Sequence, residues 1–194
     1  MKEKRKILGV DPGTNITGYA IIGCQETKWQ MIHSGILDLR KTGSHQEKLK
    51  EIYLQLQEII EAYLPGEMAI EAPFYGKNVE SMLKLGRAQG VAMAAAMTMG
   101  LSIFEYSPKK IKSAITGNGN ASKEQVAAML EARMNQRLDL KFMDATDALG
   151  AAVCHFQQSI GIGGVQNKKY KDWKSFVSAN QARKHIKSGH RKPS

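Results

Sequence analysis

Two short apolar runs in this chain are each followed directly by an acidic residue. This pattern restricts the folds that the chain can adopt. Residues 7–10 read Ile-Leu-Gly-Val and precede Asp11, and residues 68–70 read Met-Ala-Ile and precede Glu71. Runs this short and this apolar are typical of strands that are covered on both faces of a sheet. We therefore expect Asp11 and Glu71 to stand at strand ends, with fixed backbones and with side chains that point out from the sheet edge.

The spacing of apolar residues predicts strands and helices in a definite order. Strands are expected at residues 7–10, 19–22, 29–39, 68–71 and 101–106, and helices at residues 45–63, 79–99, 108–115, 123–133 and 144–159. Asn78 and Ser122 are expected to cap the second and fourth helices. This order predicts an α/β fold, a ribonuclease-H-like mixed five-stranded sheet. Three antiparallel strands come first, parallel strands are added to them, and helices cover both faces.

Length and charge indicate one main domain and a polyanionic partner. The 194 residues fit one domain comfortably. A net charge of +10 favours nucleic acid first and an anionic membrane surface second. The glycines of residues 161–164 predict a boundary between a domain at 1–164 and a basic tail at 165–194, which has nine basic residues and one acid. We expect the tail to be flexible, either as a loose DNA-binding arm or as a solvated segment.

The remaining composition predicts a cytoplasmic protein. Cys24 and Cys154 are the two cysteines, and their apolar neighbours favour buried, reduced thiols over a disulfide. His155 is expected to be a packed histidine rather than a metal ligand. The basic N-terminal stretch is followed by too few apolar residues for a signal peptide, and no apolar run is long enough to span a membrane. The sequence therefore predicts no membrane association.

A second pair of acids, Asp144 and Asp147, heads a stretch of small residues, and their spacing puts both on one helix face. Carboxylates, waters and substrate phosphates are the usual ligands of Mg²⁺, and two such ions can assist phosphodiester hydrolysis. Each acid also has an ordinary interpretation: an Asp-Pro-Gly turn, a solvated Glu71, or an Asp144 that caps a helix whose dipole Asp147 complements. The combination of all four favours a metal-dependent DNA nuclease.

Four motifs that contain or flank these acids resemble the RuvC family of Holliday-junction resolvases. They are GVDPGTNITGYA at residues 9–20, IEAPFYGKN at 70–78 with LGRAQGVA at 85–92, GNGNASKEQV at 117–126, and DATDAL at 144–149. The motifs occur in order and with family-like spacing between about residues 7 and 159. The first six residues and the C-terminal tail fall outside the resemblance.

The resemblance implies that Asp11, Glu71, Asp144 and Asp147 are the catalytic, metal-binding residues. It implies Mg²⁺ as cofactor, with two ions in each active site and Mn²⁺ able to substitute. It also implies a homodimer that binds a four-way DNA junction and cuts two strands of like polarity symmetrically, leaving ends that a ligase can seal. Such a crossover junction endodeoxyribonuclease acts in DNA recombination and repair. The branch-migration proteins RuvA and RuvB are partners by resemblance.

The resemblance also implies contacts with DNA. Phe74 is expected to stack on an unpaired base near the crossover, and Tyr75 is a second candidate for this role. Lys112 and Lys123 fall where the family has basic residues near the cut site, and a helix N-terminus beside Lys123 favours a phosphate. Lys77 is expected to line the same groove. The alternatives are a Phe74 that is tucked into the core and lysines that are merely solvated.

Other protein classes share parts of this pattern. YqgF-type nucleases have a similar opening on the same fold and are linked to RNA processing, but they are usually shorter and lack a segment like residues 71–78. Actin-like and Hsp70-like ATPases need two such lobes around a nucleotide, and this chain has the length of one. A non-catalytic junction-binding protein would keep the basic surface without needing all four acids. The YqgF-type nuclease and the junction-binding protein remain alternatives to the resolvase.

Overall fold

The computed structural model describes residues 5–73, 78–134, 137–138 and 143–161. Its strands are β1 (Arg5–Asp11), β2 (Ile16–Gln25), β3 (Lys28–Asp38), β4 (Glu67–Glu71) and β5 (Ser102–Tyr106). Its helices are α1 (His45–Tyr63), α2 (Val79–Thr98), α3 (Pro108–Thr116), α4 (Lys123–Met134) and α5 (Met143–Ser159). All ten predicted elements are present in the predicted order. The predicted tail, residues 165–194, lies outside the described residues.

The five strands form one mixed sheet in the order β3-β2-β1-β4-β5. β1 pairs antiparallel with β2, and β2 pairs antiparallel with β3. β4 lies parallel to β1, and β5 lies parallel to β4. This arrangement confirms the predicted sheet of three antiparallel strands with parallel additions. Because β1, β4 and β5 run in the same direction, their last residues meet at one edge, which we call the acidic edge.

β2 is longer at both ends than the apolar pattern predicts. Its pairing with β1 includes Gly18 opposite Asp11 and Gly23 opposite Lys6. Glycine contributes no apolar side chain to a periodic pattern, yet its main chain pairs like that of any other residue. The hairpin therefore continues past the residues that signal it in the sequence.

Hydrophobic cores lie on both faces of the sheet, which confirms the predicted helices on both sides. Ile7 of β1 packs in a cluster with residues of α3, α4 and α5, such as Phe156. Its neighbours Leu8 and Val10 pack in a second cluster with α1 and α2. Successive side chains of a strand point to opposite faces, so a strand with a core on each side carries apolar residues continuously.

Two strand glycines let α5 lie directly on the sheet backbone. A Cβ atom on Gly9 would come within 2.0 Å of the main-chain oxygen of Ala148, and one on Gly18 within 1.9 Å of that of Asp144. Any other residue would therefore clash with the α5 backbone. This contact places the first turn of α5, including Asp144, over the acidic edge.

The predicted caps and buried residues are found. The Asn78 side chain accepts a hydrogen bond from the main-chain N–H of Ser81 at 3.0 Å. The Ser122 side chain accepts one from the main-chain N–H of Gln125 at 3.2 Å. Cys24 and Cys154 are free and buried, as predicted. Among the helices that the structure describes, none combines the length and apolar character needed to cross a membrane.

Candidate active site

The acidic edge brings together all four acids singled out in the sequence. Asp11 ends β1 and Glu71 ends β4, and these neighbouring parallel strands pair as far as Val10 and Ile70. Asp144 lies over Gly18, the residue that pairs with Asp11. The negative charges of Glu71, Asp147 and Asp144 all act on Asp11. One carboxylate from each of two strands and two from one helix therefore form a single cluster.

The positive charges near the four carboxylates do not fully offset their negative charge. Burial raises the pKa of Asp11 to about 8, and repulsion from Glu71, Asp147 and Asp144 adds to this effect. Burial and then the charge of Asp147 raise the pKa of Glu71 to about 7. Both shifts report that an ionised carboxylate is disfavoured at these positions unless a cation is close.

Lys123 is a cation of the chain that lies among these acids. Its ammonium group donates a hydrogen bond to the Oδ2 atom of Asp147. Burial opposes the charge of Lys123, but the bond to Asp147 and attraction by Asp147, Asp11 and Glu71 raise its pKa overall. Lys112 also acts on the cluster, since its charge lowers the pKa of Glu71. The structure thus places both predicted lysines beside the acids.

The donor set fits a divalent cation. Four carboxylates supply the hard oxygen ligands that Mg²⁺ and Mn²⁺ accept, and the raised pKa values of Asp11 and Glu71 mark a place where positive charge is favoured. In the described ranges, no three His, Cys, Asp or Glu side chains close around one point as a ready-made cage. A Mg²⁺ site that keeps several waters and takes a substrate phosphate does not require such a cage.

Thr17 shapes the turn that follows Asp11, a role that the motifs did not reveal. Its buried hydroxyl accepts a hydrogen bond from the N–H of Gly13 at 3.2 Å and donates one to the oxygen of Gly13 at 2.8 Å. The turn is tied further by Leu39, whose N–H donates to the oxygen of Asn15 at 2.8 Å. These bonds hold the backbone next to Asp11. A threonine shortly after an Asp-Pro-Gly turn is the sequence signal that could have indicated it.

The glycine contacts were also missed. Gly18 lies just before the strand predicted at residues 19–22, whereas Gly9 stands inside a predicted strand, where a glycine often marks the close approach of another backbone. That signal was available in the sequence, but it does not say which element approaches. Of the remaining DNA-contact candidates, Phe74, Tyr75 and Lys77 lie outside the described residues.

The model of the family described as Crossover junction endodeoxyribonuclease RuvC matches residues 7–155 of the chain. The match includes all four acids of the edge and the two lysines beside them.

Similar proteins carry the same description. A crossover junction endodeoxyribonuclease RuvC of Bacteroides fragilis is 56% identical over 186 residues, covering 94% of this chain and 97% of that protein. One of Cytophaga hutchinsonii is 53% identical over 176 residues, covering 91% of this chain and 86% of that protein. The solved structure of T. thermophilus RuvC in complex with Holliday junction substrate matches with a TM-score of 0.74 and 26% identity, covering 81% of this chain and 97% of that one. This chain therefore belongs to the RuvC family of crossover junction endodeoxyribonucleases.

Proposed function

We propose that this protein resolves four-way DNA junctions in recombination and repair, by metal-dependent hydrolysis of phosphodiester bonds at the acidic edge. The observation that carries the proposal is the meeting of Asp11, Glu71, Asp144 and Asp147 in one cluster with raised pKa values for Asp11 and Glu71. A structural neighbour in the same family was solved with Holliday junction substrate. The protein is an endonuclease that acts on DNA.

The four carboxylates are proposed to hold two Mg²⁺ ions in each active site, with Mn²⁺ able to substitute. The chemistry that such ions supply when bound is activation of a water and stabilisation of the departing oxygen. The carboxylates would bind the ions and orient them, and the raised pKa values of Asp11 and Glu71 mark positions where a nearby positive charge is favourable. In the overall reaction, water adds to phosphorus while the bond from phosphorus to the 3′ oxygen breaks. The 3′ oxygen gains a proton, which leaves a 5′ phosphate and a 3′ hydroxyl that a ligase can join.

Lys123 and Lys112 are proposed to contact the DNA backbone at the cut site. Lys123 already lies against Asp147, so its charge is present where a phosphate must approach four negative side chains. A positive charge there reduces the repulsion between the substrate and the acids. Phe74 and Tyr75 are proposed to stack on unpaired bases at the crossover, and Lys77 to line the same groove.

A homodimer is proposed because two symmetric cuts require two related active sites. α2 offers a surface of suitable character: Leu83 and Met97 are 58% and 62% exposed, and Gly86, Gly90 and Ala94 lie exposed between them. The spacing puts all five on one helix face. Small residues let two helices approach closely, and the exposed apolar side chains gain by being covered.

The basic tail at 165–194 is proposed to strengthen binding to any DNA through phosphate contacts, without adding selectivity for junctions. The domain at 1–164 is proposed to carry junction recognition and cleavage.

RuvA and RuvB are proposed as partners of this protein. The cytoplasm is proposed as its location.

Incubating the protein with end-labelled four-way junctions and matched linear duplex, with Mg²⁺ or with EDTA, tests the function. Paired, ligatable nicks that appear in the junction alone and need Mg²⁺ are the expected result. Asp144→Asn should bind junctions but cut them at least about 100-fold more slowly, since it removes a charged ligand. Junction binding without cutting by the wild-type protein would favour a junction-binding protein. Cleavage of RNA would favour the YqgF-type alternative.

A further inference from the structure

A polar network surrounds the buried His155 of α5 and reaches the acidic edge at Tyr106. We call it the His155 network and define it by Arg5, Glu67, Tyr106 and His155. The Nε2 atom of His155 lies 2.8 Å from Glu67 Oε2, and its Nδ1 atom lies 2.7 Å from the Tyr106 hydroxyl. Arg5 donates to both oxygens of Glu67, at 3.1 Å from Nε to Oε1 and 2.5 Å from Nη2 to Oε2. His155 is 4% exposed, so both of its ring nitrogens are used inside the fold.

The chemistry of the partners defines the state of the histidine. Burial lowers the pKa of His155 despite the nearby Glu67. Burial also opposes ionisation of Glu67, but hydrogen bonds from Arg5 and His155 lower its pKa overall. In the protonation state that agrees with both pKa directions, Glu67 is ionised and His155 is neutral. The Nε2–H group of the imidazole then donates a hydrogen bond to Glu67. The Nδ1 atom then accepts from the Tyr106 hydroxyl, so every polar atom of the ring has a directional bond.

The network joins the same elements that carry the catalytic acids. His155 lies on α5, the helix of Asp144 and Asp147, while Glu67 begins β4, the strand that Glu71 ends. Tyr106 pairs with Glu71 in the sheet. The main-chain oxygen of Tyr106 also accepts a hydrogen bond from the N–H of Ala72 at 2.8 Å. The network therefore ties the helix that carries Asp144 and Asp147 to the strand that carries Glu71 and to its neighbour β5.

The contacts at Gly9 and Gly18 hold α5 close to the sheet, and apolar packing surrounds them. The buried face of the helix consists largely of small residues, among them Ala148, Ala151 and Ala152, which pack on β1 and β2. Apolar contact is not directional, whereas a hydrogen bond weakens steeply when its geometry changes. The two hydrogen bonds of the buried His155 side chain therefore add directional constraints on the position of α5 along the strands. His155 follows Asp147 by about 12 Å along the helix, at about 1.5 Å per residue.

We propose that His155 is a positioning residue, which holds α5 in place along the sheet so that Asp144 and Asp147 stand at the right distance from Asp11 and Glu71. The inference rests on the proposed metal-dependent function of that cluster. His155 touches neither the acids nor the substrate and acts through the helix that it anchors. Removal of its hydrogen bonds would leave the acids present but less well placed to share metal ions.

His155→Ala tests the inference, and the chain offers a matched control. His33 also bonds to a tyrosine hydroxyl, with its Nε2 atom 3.1 Å from Tyr19, but it is exposed on β3 and stacks on Tyr63 of α1. Both variants lose a histidine–tyrosine hydrogen bond and an aromatic stacking contact, which His155 makes with Phe104 at 4.1 Å between ring centroids. We expect His155→Ala to need about 10-fold to 100-fold more Mg²⁺ for half-maximal junction cleavage. His33→Ala should keep the wild-type Mg²⁺ requirement, and both should bind junctions normally in EDTA.

A purely structural role predicts a different result. If His155→Ala melts at a lower temperature but keeps the wild-type Mg²⁺ requirement, the inference is wrong. His155→Gln can still donate to Glu67 and should recover part of the loss, since only the bond to Tyr106 is missing. If His155→Ala does not fold, Tyr106→Phe replaces it, because only a hydroxyl is removed. An unchanged Mg²⁺ requirement in Tyr106→Phe would then overturn the inference.

Binding of Mn²⁺, measured by calorimetry, separates this inference from the proposed function. If the wild-type protein binds Mn²⁺ but cuts no junction, the proposed function fails, and the positioning role is still decided by the binding isotherms. Weaker Mn²⁺ binding by His155→Ala than by His33→Ala supports it. Equal binding by the two variants contradicts it.

Discussion

The main-chain oxygen of Asp144 lies so close to Gly18 that a Cβ atom at Gly18 would come within 1.9 Å of it. This contact seats the first turn of α5 on the strand that pairs with Asp11. An acid on a helix and an acid on a strand are thereby brought to one edge by a residue that has no side chain. The site therefore requires a residue without a Cβ atom at position 18 as well as the carboxylates themselves.

Gly18→Ala should displace α5 and disable the site. The obstructing atoms belong to the backbone and cannot move aside as the end of a flexible side chain could. We expect a loss of about 1–3 kcal/mol or more in the free energy of unfolding, as for other overpacked cores, together with loss of Mg²⁺-dependent cleavage. Denaturant unfolding and junction cleavage measure the two effects.

Gly66→Ala is the matched control for this substitution. A Cβ atom at Gly66 would meet nothing within 4 Å, so stability and cleavage should remain close to the wild-type values. If Gly18→Ala behaves like Gly66→Ala, the close packing of α5 is not what positions Asp144.

Lys123→Gln should change how cleavage depends on pH. The charge of Lys123 lowers the pKa values of Asp11 and Glu71, so its removal raises both. The ionised, metal-binding forms then become scarcer near neutral pH and recover as the pH rises. A rise of one pKa unit would reduce the ionised form of Asp11 about tenfold at neutral pH. Single-turnover cleavage rates across a pH series should show the largest defect at the acidic end.

Lys84→Gln serves as the control, because Lys84 pairs with Glu80 on the exposed surface of α2. Its pH profile should match that of the wild-type protein. A Lys123→Gln defect of the same size at every pH would contradict the electrostatic explanation and favour a role in DNA contact alone.

Asp11→Asn should stabilise the metal-free protein at high pH while abolishing cleavage. The pKa of Asp11 is raised to about 8 in the folded state, so folding favours its protonated form. That contribution to stability is complete below the ordinary carboxyl pKa and is lost as the pH rises through about 8. The wild-type protein in EDTA should therefore lose stability between about pH 4 and about pH 8, and Asp11→Asn should lose less. Thermal unfolding at several pH values measures this difference.

Asp38→Asn is the corresponding control. A side-chain hydrogen bond from Arg40 lowers the pKa of Asp38 to about 2, so this carboxylate is not destabilised by its surroundings. Its replacement should not improve stability at high pH. Mg²⁺ should stabilise the wild-type protein more than Asp11→Asn, because a ligand that binds the folded state raises its stability.

Leu83→Lys should weaken the proposed dimer. The substitution puts a charge on the exposed apolar face of α2, where covering it would require desolvation. Sedimentation should show a shift toward monomer, and paired nicking of junctions should give way to single nicks. Leu54→Lys is the control, since Leu54 is 41% exposed but lies on α1. An unchanged oligomeric state in Leu83→Lys would mean that this face is not the dimer contact.

Removal of the residues after Gly164 should weaken binding to junction and duplex DNA alike. The tail carries nine basic residues and one acid, and each phosphate contact that is lost reduces the dependence of affinity on salt. The ratio of junction to duplex affinity should stay the same. Unchanged affinity and an unchanged salt slope would show that the tail does not contact DNA.

Much of the fold was predictable because its signals are local. The apolar runs before Asp11 and Glu71, the helical periodicity of residues 45–63 and the cap at Asn78 are all patterns among near neighbours. Together they predicted the order of the elements and the mixed sheet, and thereby the edge at which Asp11 and Glu71 meet. The ends of β2 were missed because Gly18 and Gly23 pair through the main chain without an apolar side chain to mark them.

The sequence by itself determined which residue types are present for this chemistry and which elements carry them. Only the tertiary structure decided how they meet: the seat of Asp144 on Gly18, the pairing of Lys123 with Asp147, and the bonds of His155 to Glu67 and Tyr106. Each of these contacts joins residues far apart in the chain. Local periodicity defines an element and its buried face, whereas the distances between elements follow from packing all of them at once.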